Sequence, residues 1–168
     1  MLAKTEIESM LSRSSISDAD FVRLGPGAVP VLIDVFHNDR SERRDGRRRM
    51  ALHALGLLGG DQAVDFLIAT AEDPEEEAWL RSAAVRSLGY ANHPKSLDFL
   101  KATLRHPEYD FRKSAVLALT HSTDPEALAV LETVKESGEP RLAEKLSRIA
   151  EEQQGRFETA DAGEPPKV

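Results

Sequence analysis

Cysteine is absent from all 168 residues, which excludes disulfides, thiolate metal sites and cysteine nucleophiles together. Aromatic residues are scarce, at 5%, so leucine, alanine and valine must fill whatever core exists. No apolar run approaches the roughly 20 residues that a membrane-spanning helix needs. The opening stretch MLAKTEIESMLSRSS places Glu6 and Glu8 where a secretory leader would be apolar. A cytoplasmic protein is the expectation. Catalytic signatures are missing too. There is no GxSxG, no phosphate loop of the GxxxxGK kind and no GxGxxG. The five histidines form no HExxH and no i, i+4 pair, so neither a metal nor any other cofactor is expected, and neither is catalysis.

Hydrophobic residues reach 40% and charged residues 30%, the balance of a folded globular chain. The net charge of −7 disfavours general binding to nucleic acid, which depends on neutralising phosphates. That charge is unevenly spread. The stretch 40–49, RSERRDGRRR, sets six arginines against Glu42 and Asp45.

Self-similarity decides the fold. RRMALHALGLLGGDQAVDFL from Arg48, RSAAVRSLGYANHPKSLDFL from Arg81 and RKSAVLALTHSTDPEALAVL from Arg112 superimpose, 33 and then 31 residues apart. Within each, the arginine is followed at +3, +4 and +7 by Ala51, Leu52, Leu55, by Ala84, Val85, Leu88, and by Ala115, Val116, Leu119, which is one face of a helix. A break follows at Gly59-Gly60-Asp61, Asn92-His93-Pro94 and Thr123-Asp124-Pro125, where a polar cap ahead of proline starts a second helix. The apolar faces of these second helices are Val64 and Leu67, Leu97 and Leu100, and Leu128 and Leu131. GPGAVPVLI from Gly25 is a degenerate fourth copy, matching Gly60 to Ile68.

The reading is one domain over 1–155. Its pairs cover about 18–37, 44–72, 76–105 and 108–137, with an N-terminal cap over about 2–13 and a C-terminal cap over about 140–154. Residues 156–168 have little to bury and read as a disordered tail. Each pair is too small to hide its own apolar stripe, so neighbours must stack. Second helices in such arrays line the inner face.

The stretches RRRMALHALGLLGG, LRSAAVRSLGYANHP and FRKSAVLALTHSTDP resemble HEAT-type repeats, especially the short variety named after phycobilisome lyases. The resemblance implies an all-α, right-handed α-solenoid of about four helix pairs, capped at both ends. It also implies a protein-binding scaffold or adaptor more often than an enzyme. Some enzymes with HEAT-like repeats hold a di-iron centre through His-Glu pairs, and this chain has no His-Glu dipeptide.

Three sets of residues are candidates for function. Arg48, Arg81 and Arg112 recur in phase and read as structural: each stem lies on the core while the guanidinium bonds helix-end carbonyls or acids such as Asp39 and Asp73. Placing Val64 and Leu67 inward turns Asp65 and Glu72 outward. The equivalent positions are Asp34 and His37, Asp98 and Arg105, and Glu126 and Glu136, with small Ala69, Ala102 and Thr133 between them. This acidic row could take a basic or amphipathic segment of a partner protein. The third set is Arg40, Arg43, Arg44, Arg47 and Arg49, an alternative site for nucleic acid or another polyanion. A subunit resembling a bilin lyase is a further alternative, carried by the repeat type alone.

Overall fold

The computed structural model describes residues 4–13, 16–38, 44–136 and 139–149; at Arg44 only the backbone is described. Among them there are helices and no strand. They are α1 (Lys4–Leu11), α2 (Asp18–Leu24), α3 (Val29–Asn38, entered through a 3-10 turn at Pro26–Ala28), α4 (Arg44–Leu58), α5 (Asp61–Glu72), α6 (Ala78–Leu88), α7 (Pro94–Thr103), α8 (Tyr109–Leu119) and α9 (Pro125–Glu136). A further helix, α10, covers 140–149. The expected C-terminal cap is thus described only as far as 149, and the expected tail over 156–168 lies outside the described residues.

Local chemistry sets the boundaries. Ser17 and Asp20 close a capping box at the start of α2, with the Asp20 amide donating to Ser17 Oγ at 3.3 Å and the Ser17 amide to Asp20 Oδ2 at 3.0 Å. His93 caps α7 through Nδ1, which accepts the Lys95 amide at 3.2 Å, and Asp124 Oδ1 accepts the Glu126 amide at 2.8 Å at the head of α9. Asn92, at φ 44°, stitches one turn to the next: its Oδ1 accepts both the amide and the hydroxyl of Thr123 at 3.0 Å.

The first helices α4, α6 and α8 lie side by side, and α5 and α7 flank them in a second row. Ala51, Leu52, Leu55, Ala84, Val85, Ala115, Val116 and Leu119 are fully buried between the rows. Two glycines make the close approach possible. A Cβ on Gly56 would collide with the Ser87 carbonyl, and one on Gly89 with the Ala118 carbonyl. Each glycine is eight residues after its in-phase arginine, so the glycine of the repeat is where one first helix presses on the next. The assembly is an all-α solenoid.

One core assignment is corrected. The sequence pattern places Leu128 inward beside Leu131, yet it is 61% exposed, while Ala127, Leu131 and Val134 are buried. Val64 and Leu97 hold the same position in α5 and α7 and are buried. That side of a second helix faces the next second helix in the row, as the Asp65–Lys95 and Lys101–Glu126 contacts show. Beyond α9 the described chain supplies α10, a first helix, so Leu128 is left uncovered.

Candidate functional site

The in-phase arginines reach backwards to the end of the preceding second helix. Arg48 Nε donates to the Phe36 carbonyl at 3.1 Å, and Arg81 Nε to the Ala71 carbonyl at 3.0 Å. Arg112 Nη1 donates to the His106 and Pro107 carbonyls, both at 2.8 Å. The Phe36 and Ala71 carbonyls are among those that a helix end leaves unsatisfied, where a cation also suits the dipole, whereas the His106 and Pro107 carbonyls belong to the turn between α7 and α8. Arg48 pairs with Glu76 and Arg112 with Glu139 at 2.7 Å, so the acids come from the head of the next first helix. Asp73 instead accepts the Glu75 amide at 2.9 Å, and Asp39 lies outside the described residues. Arg48 also sits 4.2 Å over the Phe36 ring and Arg81 4.7 Å over Phe111.

The second-helix row is exposed at His37, Asp65, Glu72, Asp98, Arg105, Glu126 and Glu136, and half-buried at Asp34. Its charge is partly answered from within. Lys95 binds Asp65 at 2.8 Å, Lys101 binds Glu126, and Lys4 binds Asp34. The hydrogen bond to Asp65 raises the Lys95 ammonium above its ordinary value, and that to Glu126 does the same for Lys101. Lys4 and the Asn38 amide hold the Asp34 carboxyl below its ordinary value. His37 packs edge-on against the rings of Phe36 and Phe66, each with centroids 5.5 Å away. Between α7 and α9 the row opens into a cleft of about 600 Å³, bordered by Asp98, Ala102, Arg105 and Thr133 and floored by Leu104, Val130, Val134 and Leu142.

Among the described side chains of the arginine-rich stretch, Arg47 and Arg49 go different ways. Arg40 and Arg43 lie outside the described residues, as does the Arg44 side chain. Arg47 turns to the Ser12 hydroxyl. Arg49 goes elsewhere, into a groove of about 400 Å³ across α4, α6 and α8 that also holds His53, Arg86, Tyr90 and His121. Sequence reasoning missed this groove. A signal for it exists, since Tyr90 and His121 both stand nine residues after their in-phase arginines. Tyr90 and His121 stack at 4.6 Å, His53 meets Tyr90 edge-on at 5.0 Å, and His53 Nε2 lies 2.8 Å from Asp18 Oδ1.

Among the described residues, no three His, Cys, Asp or Glu side chains gather as a metal site, and no helix is long and apolar enough to cross a membrane. No curated protein matches the chain. Residues 75–150, from the head of α6 through α10, match the family described as HEAT repeats, whose members are commonly protein-interaction scaffolds and generally non-catalytic. Stacked helix pairs, an arginine in phase in α4, α6 and α8, and a glycine where two first helices touch agree with that match: residues 75–150 are HEAT-like repeats, and the helices before them stack in the same way.

Proposed function

We propose that this protein is a non-catalytic adaptor that holds a basic or amphipathic segment of a partner protein on its second-helix face. The observation that carries this reading is the cleft between α7 and α9. Its floor of Leu104, Val130, Val134 and Leu142 offers apolar contact, and its border offers charge of both signs, with Asp98 lying 3.7 Å from Lys101 and near Arg105. An amphipathic helix or strand needs both. Lys101 lines the cleft and its ion pair with Glu126 links α7 to α9. The expected site residues Asp98 and Arg105 border this cleft, Glu126 ties its two walls together, and Asp34, His37, Asp65, Glu72 and Glu136 extend the same row along the array.

A polyanion reading through the stretch 40–49 draws less support. Arg47 and Arg48 already serve Ser12, Phe36 and Glu76.

The test is affinity capture from the native host, and then titration of the identified partner against Asp98→Lys and Ala102→Trp. Reversing the charge and filling the cleft should each weaken binding by roughly tenfold or more. Undiminished affinity in both variants would place the partner elsewhere.

A further inference from the structure

The arginines of the first helices fall into two kinds. Arg48, Arg81 and Arg112 are spent on backbone carbonyls, and Arg48 and Arg112 on acids as well. Arg49 and Arg86 are exposed and, among the described residues, have neither an ion pair nor a hydrogen bond. They stand on neighbouring helices at the rim of one groove, whose other walls are two imidazoles, a phenol, and Ala83, Ser87 and Leu117. Every polar side chain there can donate a hydrogen bond, and the guanidiniums are cationic at any physiological pH.

We propose that this groove, formed by Arg49, His53, Arg86, Tyr90 and His121 on the face opposite the α7–α9 cleft, binds an oxyanion carried by a polypeptide. The shared chemistry is a compact, multiply charged group: a phosphorylated side chain or adjacent carboxylates of an acidic segment. Two arginine forks from separate helices suit such a group, because each can donate in parallel to two of its oxygens. The groove's 400 Å³ accommodates the group together with the side chain that bears it. Bases have little to stack on, since the ring faces of Tyr90 and His121 cover each other, so a polypeptide fits better than a nucleic acid.

His121 makes this site sensitive to pH. His121 is pushed below its ordinary value by desolvation, and secondarily by the positive charge of His53, while Asp18 acts in the opposite direction. Charged and titratable groups reach the pair from every side: Asp18 from α2, Arg49 from α4, Arg86 and Tyr90 from α6 and its turn. An arriving anion compensates the cost of charging His121, so binding takes up a proton and strengthens as pH falls.

The experiment is a titration of the full chain with phenyl phosphate, monitored through the imidazole proton resonances of His53 and His121. Two peptides of one sequence are titrated next, one bearing phosphotyrosine and one bearing paired glutamates, and then a single-stranded oligonucleotide. Saturable shifts at both histidines are expected. The affinity of the paired-glutamate peptide, whose own charge is constant over this range, should rise as pH falls from about 7.5 to about 6, and phenyl phosphate affinity should fall roughly tenfold or more in the Arg49→Gln, Arg86→Gln double variant. Whichever peptide binds more tightly identifies the source of the oxyanion. Two results would overturn the proposal: the absence of saturable shifts with phenyl phosphate and with both peptides, or oligonucleotide binding tighter than either peptide and lost in the double variant.

Discussion

At the scale of single residues, Arg81 takes up the Ala71 carbonyl at the end of α5 and lies over the Phe111 ring, as Arg48 does with the Phe36 carbonyl and ring. Arg81→Ala should therefore lower unfolding free energy by about 1–3 kcal/mol, read from urea denaturation. Ser96 is the converse case. It is 2% exposed and its hydroxyl finds no partner among the described residues, whereas the equivalent positions are Ala63 and Ala127. Ser96→Ala should raise stability by about 1 kcal/mol, because the orphan hydroxyl carries a desolvation cost that alanine lacks. His121 adds a pH dependence. Its native pKa lies below its unfolded value of about 6.5, so the unfolded chain binds more protons in the window below that value. Its contribution to stability is full above about pH 6.5 and is lost as pH falls through the depressed native value. Thermal melts of His121→Asn should show a shallower decline between about pH 7 and pH 5.

At the scale of helices, spacing is set by what the first helices omit. Gly56 and Gly89 meet backbone carbonyls that cannot retreat without moving a whole helix. Gly89→Ala should cost about 1–3 kcal/mol through overpacking. Gly46, inside α4 with open space where its Cβ would be, supplies the control. Gly46→Ala should stabilise by about 0.5–1 kcal/mol, since alanine is the better helix former. A calorimetric comparison of the two variants that gave both changes the same sign would contradict the account of helix spacing.

Helices of this kind are legible in sequence because burial repeats at +3, +4 and +7 from each arginine, and because capping chemistry marks each start. Leu128 escaped that logic. Its own helix looks like its predecessors, and its exposure is decided by the kind of helix that comes after α9 rather than by anything local. The groove at His53 and Tyr90 escaped for a related reason. Its residues share repeat positions, His53 and Arg86 five residues and Tyr90 and His121 nine residues after their in-phase arginines, but they come from successive repeats and differ in type, so no local motif joins them before the stack is built.

At the scale of the whole molecule, charge is sorted between the two rows. The first helices are basic: α6 carries Arg81 and Arg86 with no acid, and α8 carries Arg112 and Lys113 against Asp110 alone. The second row leans acidic, with Asp61, Asp65 and Glu72 on α5 unopposed by any base of that helix. Two faces of opposite sign would let one array hold two partners without competition, as the proposed adaptor role requires. The proposed site on the second row can be tested with unusual directness because the chain has no cysteine. A single thiol introduced as Thr133→Cys would stand in the α7–α9 cleft, and one introduced as Lys113→Cys on the opposite row. Labelling rates of each thiol, measured with and without the captured partner, report which face is covered. The account predicts that the partner slows labelling at position 133 and leaves position 113 unchanged. Protection at 113 with none at 133 would contradict it.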